Sequence, residues 1–142
     1  MSKEILTGQY RGKWENTPDG PAAWRRGVYV YSRRSLPYPM FDTFDHPDMN
    51  VTAGARNVST VPTQALTLLN NPFVLSQAQK LADRVSRETR DPYAQIDLAY
   101  RIALGRPPAE NEIRIAADLI ARQSLAAFTH VLLNLDEFLY LR

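Results

Sequence analysis

Cysteine is absent from the 142-residue chain, which excludes a disulfide framework, a thiol nucleophile, a zinc finger and covalent haem attachment within it. No apolar run approaches the ~18 residues that a membrane span needs. The opening MSKEILTGQY lacks the apolar stretch of a signal peptide. Charge of one sign is also scarce. The 17 Lys and Arg against 15 Asp and Glu leave a net +2, too little by itself to imply a nucleic-acid partner. What remains is ordinary globular composition, 44% hydrophobic and 23% charged, which argues against wholesale disorder. The length suits one domain or part of one.

The charge is unevenly placed. Residues 1–34 carry a net +4, residues 35–57 a net −2, and residues 58–142 are neutral. Residues 1–24 are expected to form an extended N-terminal arm. They are rich in turn formers around Asn16-Thr17-Pro18-Asp19-Gly20-Pro21, with Trp14 and Trp24 as the only large apolar anchors. Residues 25–59 combine a strand-like segment with an acidic loop. Val28-Tyr29-Val30-Tyr31 has the β-branched and aromatic make-up of a strand, bracketed by Arg25, Arg26, Arg33 and Arg34. Pro37 and Pro39 then interrupt regular structure.

From Thr60 to Arg142 the signals are helical. Pro62 opens a short helix ending at Asn70 and Asn71. Asn71-Pro72 supplies an N-cap and a first-turn proline for the next, whose Val74, Ala78, Leu81, Ala82 and Val85 form one apolar stripe. Asp91-Pro92 repeats the device for a helix that Gly105 stops. Pro107-Pro108 is expected to start a fourth, with Glu110 and Glu112 in its first turn and Ile113, Ala116, Ala117 and Ile120 inward. Leu125, Phe128, Val131, Leu132, Leu135, Phe138 and Leu139 give a last helix one continuous seam. The fold class is therefore mainly α, a small antiparallel helical bundle preceded by the arm and the strand-like segment.

The acidic loop offers the strongest candidate chemistry. Asp42, Asp45, His46, Asp48 and Asn50 place three carboxylates, an imidazole and an amide within nine residues. Such a set can ligate Ca²⁺ or Mg²⁺, or supply paired carboxylates for glycoside hydrolysis, although the spacing is not that of an EF-hand. The simpler reading is structural: the aspartates cap turns and pair with arginines, Arg34 and Arg56 first among them. A basic patch of Arg25, Arg26, Arg33, Arg34 and Arg56 with Tyr29 and Tyr31 would suit single-stranded nucleic acid, but pairing with the adjacent aspartates explains the same residues. No G-x-S-x-G turn is present, so Ser59, Thr60 and Thr63 read as caps. His130 reads as a rim or core residue, and Gln64, Asn70 and Asn71 as polar ties between loops and helix ends.

Several blocks are distinctive beyond their composition. They are Arg25-Arg26, Arg34-Ser35-Leu36, Phe41-Asp42, Phe44-Asp45, Pro47-Asp48 with Asn50, Arg56-Asn57 and Pro62-Thr63-Gln64-Ala65-Leu66 through Asn70. Further on come Ala99-Tyr100-Arg101, Leu104-Gly105-Arg106-Pro107-Pro108, Leu133-Asn134 and Glu137-Phe138. Over about residues 9–142 the chain resembles the C-terminal part of the planctomycete and verrucomicrobial PSD domain, domain of unknown function fifteen-fifty-three. It departs from that pattern at Thr52-Ala53-Gly54-Ala55-Arg56-Asn57, where the family's Cys and one Arg are missing.

The resemblance implies a C-terminal fragment of such a domain, from a large exported or periplasmic protein that also carries planctomycete-type cytochrome c segments. It implies no established reaction. The expected function is a non-catalytic structural and interaction module whose partner is the missing N-terminal half of the domain or a neighbouring domain. Haem is then expected only in other domains, nucleic acid is not expected as a partner, and the catalytic residue set is empty. The rival expectations are a carbohydrate-active or metal-assisted hydrolase built on the acidic loop, and nucleic-acid binding through the arginine flanks.

Overall fold

A computed structural model describes residues 20–21, 24, 26–29, 39–47, 51–52, 54, 59 and 61–140. Among the described residues the regular structure is helical, with no strand: a 3-10 turn at Gly27–Tyr29, then α1 (Pro39–Thr43), α2 (Pro62–Asn70), α3 (Pro72–Glu88), α4 (Pro92–Leu104), α5 (Glu110–Arg122), α6 (Leu125–Leu133) and α7 (Asp136–Leu139). The mainly α expectation holds. The chain divides into two compact units, residues 1–64 and 65–142, with the division inside α2.

In the first unit the strand-like run is corrected where it is described. Val28 and Tyr29 lie in the 3-10 turn, closed by the Tyr29 N–H donating to the Arg26 carbonyl at 2.9 Å. A lone strand has no ladder for its backbone groups, whereas a turn closes its hydrogen bond within the segment. Val30 and Tyr31 lie outside the described residues. Of the expected arm, Gly20, Pro21 and Trp24 are described; the Trp24 N–H donates to the Gly20 carbonyl at 3.2 Å, so this end closes a turn.

The second unit is the helical bundle. α3 begins where Asn71 holds an extended backbone and its side chain accepts from the Phe73 N–H at 2.8 Å, with Pro72 at the first helical position. Its stripe is buried at Val74, Ala78, Ala82 and Val85, and half-buried at Leu81. α4 is capped in the same way by Asp91, which accepts from the Ala94 N–H at 2.8 Å, and ends on Gly105 in the left-handed conformation at φ 72. Short links join these helices, and α3 packs on α4 and α4 on α5.

The most extensive helix contact is between α3 and α6. The small side chains of Ala78 and Ala82 let the two backbones approach. The fully buried Thr129 of α6 then reaches across, its hydroxyl 2.8 Å from the Ala78 carbonyl and 3.0 Å from the Ala126 carbonyl of its own helix. Around this seam lies the core: Val85, Ile96, Ala99, Tyr100, Ala116, Phe128 and Leu132. The end of α2 is tied to α6, where His130 Nε2–H donates to the Leu68 carbonyl at 3.3 Å.

Two helix boundaries differ from the sequence expectation. α5 starts at Glu110 rather than at Pro107-Pro108, because Glu112 reaches back to accept the Ala109 N–H at 2.7 Å and so fixes Ala109 as the cap. The last seam is broken as well. The Asn134 side chain donates to the His130 carbonyl at 2.8 Å, Leu135 turns extended, and α7 restarts at Asp136. Leu125, Phe128, Leu132 and Leu135 pack in the core, whereas Val131 and Phe138 are exposed. An asparagine side chain that competes for backbone groups is a general cause of such breaks.

Asn71→Ala is expected to destabilise the fold by ~1 kcal/mol, the usual cost of an N-cap. Thr129→Val, which keeps the shape and removes the buried hydroxyl bond, is expected to cost a further ~1 kcal/mol in an independent variant. Urea melts check both, and wild-type stability in either would refute the corresponding contact.

Candidate functional site

The acidic loop grows out of α1, a helix of one turn with Pro39 at its start. Its end has the hydrogen-bond pattern of a helix-stop motif. Asp45 adopts φ 55, the left-handed conformation that such a stop requires. The His46 N–H donates to the Phe41 carbonyl at 3.0 Å and the Asp45 N–H to the Asp42 carbonyl at 3.4 Å. The His46 ring stacks on Phe41, with centroids 5.2 Å apart and planes 13° apart, which is the side-chain contact that commonly closes this motif. Asp is one of the few residues besides Gly that tolerates this backbone, at a cost of about 1 kcal/mol.

The Asp45 carboxylate is engaged over a longer range. Its Oδ2 accepts from both the N–H and the hydroxyl of Ser59, each at 2.7 Å. Behind Ser59 the buried Gln64 offers its Nε2–H to the Ser59 hydroxyl at 3.4 Å. Two charge-assisted bonds to one carboxylate oxygen are the signature of a loop clamp. His46 Nδ1–H donates to the Pro47 carbonyl at 2.9 Å, and both His46 and Asp42 are exposed. Asp48, Asn50, Arg34 and Arg56 lie outside the described residues, so the expected aspartate–arginine pairs do too. Among the described residues, no three His, Asp or Glu side chains gather as a metal-binding group.

A second polar centre lies at the α4–α5 link, and the sequence reading assigned it no role. Gly105 ends α4 with a left-handed turn that throws the Arg106 side chain back over the bundle. Its guanidinium carbon stands 5.4 Å from the centre of the Tyr100 ring. Glu112 of α5 takes Nη1 and Nη2, each at 2.8 Å. Glu137 of α7 takes Nε at 2.7 Å and Nη2 at 2.8 Å. Nη1 also donates to the Pro107 carbonyl at 3.1 Å. All five N–H donors of the guanidinium are therefore occupied.

The electrostatics follow from that geometry. The Arg106 fork, with the Ala109 N–H behind it, pulls the Glu112 carboxyl down from 4.5 to about 2. The two carboxylates hold the Arg106 guanidinium still more firmly protonated. Burial, and then the nearby Glu112 charge, pushes the Tyr100 phenol up.

The two blocks that contribute to this centre, Ala99-Tyr100-Arg101 and Leu104-Gly105-Arg106-Pro107-Pro108, lie within a longer stretch that matches a known family. The family model, described as PSD1, protein of unknown function (DUF1553), matches residues 3–120. The chain belongs to this family. No curated protein and no solved structure matches it. The match begins earlier than the resemblance read from the sequence and stops at Ile120. Glu137, Leu133-Asn134 and Phe138 thus lie beyond the part of this PSD-family chain that the model covers.

The signal that could have located the second centre was the spacing of Glu112 after Ala109, together with an arginine next to a helix-stopping glycine. Nothing in the sequence ties Glu137 to Arg106, which stands 31 residues away.

Glu112 has a depressed carboxyl, so its contribution to stability is present above pH 4.5 and is lost as pH falls through about 2. Glu112→Gln is expected to cost ~1 kcal/mol at pH 7, from a weakened fork and half a cap. The gap to wild type should narrow as pH drops from about 4.5 to 2. Thermal melts over that range check this, and a gap that stays constant would show that the pair contributes nothing.

Proposed function

We propose that this PSD-family chain is a non-catalytic structural and interaction module. In this reading it is the C-terminal part of a domain that packs against, and helps position, the preceding half or a neighbouring domain. The larger protein is exported and cytochrome c-associated. Any covalently attached haem would sit in another domain, since this chain has no Cys to attach one.

The observation that carries the reading is the state of Asp45. At the centre of the acidic loop it occupies the helix-stop position, and its carboxylate accepts both donors of Ser59. A carboxylate committed to holding a loop is poorly placed to act as a general acid, a nucleophile or a cation ligand. Arg106 supports the same view, because its donors are all engaged within the fold.

Calorimetric titration of the chain with Ca²⁺, Mg²⁺ and Mn²⁺ near neutral pH tests the reading against the metal-assisted hydrolase. The expected result is no sub-millimolar binding and no rise in melting temperature. Sub-millimolar binding that Asp45→Asn abolishes would overturn it.

A further inference from the structure

α7 is a single turn that has no side-chain cap and buries none of its residues fully. One isolated turn is unfavourable, because several dihedrals are fixed for a single hydrogen bond. Contacts outside the turn therefore hold it in place. It packs on α4 and α6 with Leu139 half-buried, and Glu137 takes the Nε and Nη2 edge of the Arg106 guanidinium.

Both of the structures that α7 leans on are closed without it. At the end of α6, the His130 carbonyl accepts from the Asn134 side chain, the Val131 carbonyl from the Asn134 N–H and the Leu132 carbonyl from the Leu135 N–H. These three acceptors are served by residues that precede α7, and Leu135 keeps its place against the core on the same side of the junction. At the α4–α5 link, Glu112 holds Nη1 and Nη2 of Arg106, and the Pro107 carbonyl accepts a further Nη1 hydrogen, independently of Glu137. The Arg106–Glu137 pair itself is accessible to salt, since the two side chains are 37% and 44% exposed.

We infer that α7 is a charge-held latch: residues 136–140 leave the bundle together, governed by the Glu137–Arg106 pair, while α3–α6 stay folded. Opening turns the Nε–Nη2 edge of Arg106 from a protein carboxylate to water and uncovers what the turn packs on in α4 and α6. Elements with few buried contacts commonly open locally, and simple fraying is the rival account. Fraying is graded towards Tyr140 and indifferent to Glu137. The latch opens in one step and answers to charge.

Amide hydrogen exchange on the 142-residue chain separates the two. The reporters are Phe138, Leu139 and Tyr140, whose N–H groups donate to the Leu135 and Asp136 carbonyls within the turn. Expected is one common protection factor at these amides, lower than at Ile96 and Phe128 in the core. Sub-denaturing urea should leave it unchanged while core protection falls, because opening the latch exposes little surface. Glu137→Gln should lower it about two- to five-fold, the range of an exposed ion pair, and keep it independent of urea. About 1 M NaCl, where the Debye length is about 3 Å, should do the same to the wild type and nothing to the variant. Graded or absent protection overturns the inference, as does protection that falls with urea in step with Ile96 and Phe128. So does indifference to Glu137→Gln or to salt. Failure of Glu137→Gln to fold overturns it too, because the bundle would then depend on the latch.

Discussion

One guanidinium fixes the loop end of the bundle. Arg106 leaves α4 at the point where Gly105 reverses the chain, and it joins α5 through Glu112 and α7 through Glu137 while lying over Tyr100. Its fork geometry matters more than its charge, since a lysine could not present five donors in one plane. The contact also sets where α5 begins, because Glu112 is at once the partner of Arg106 and the acceptor for the Ala109 N–H. Helix start, link and terminal helix are thus three results of one arrangement. The hydrophobic core beneath it is small, with Ile96, Leu132 and Val85 its largest fully buried apolar side chains, so directional contacts at its edge weigh more than they would in a larger domain.

Local rules were legible in the sequence wherever donor and acceptor lie within a few residues. Asn71, Asp91 and Gly105 cap their helices as their residue types require, and the α3 stripe buries the side chains its spacing selects. The same rules failed where partners are distant. Thr129 meets Ala78 across 51 residues, and neither composition nor period marks that threonine as different from an exposed one. The acidic loop is a different case. Its residue types admit chemistry and turn-capping alike, whereas the left-handed backbone of Asp45 and the stacking of His46 on Phe41, which end a helix there, are marked by neither composition nor spacing. A sequence shows that an aspartate is present, but not that its backbone has turned left-handed.

Polar groups with the most chemical potential are engaged inside their own units, Asp45 by Ser59 and Arg106 by two carboxylates. Large apolar side chains face outward on several elements, among them Leu66 on α2, Phe73 on α3, Ile115 on α5 and Phe138 on α7. Engagement of the polar groups within the fold is what the proposed module role asks of them.

The family match ends at Ile120, inside α5, while Phe128, Thr129, Leu132 and Glu137 complete the core and the Arg106 fork from beyond it. The recognisable stretch and the cooperative unit therefore have different ends. In this chain a comparison confined to residues 3–120 would therefore miss Thr129 against Ala78, Phe128 and Leu132 in the cluster around Val85, and Glu137 on Arg106.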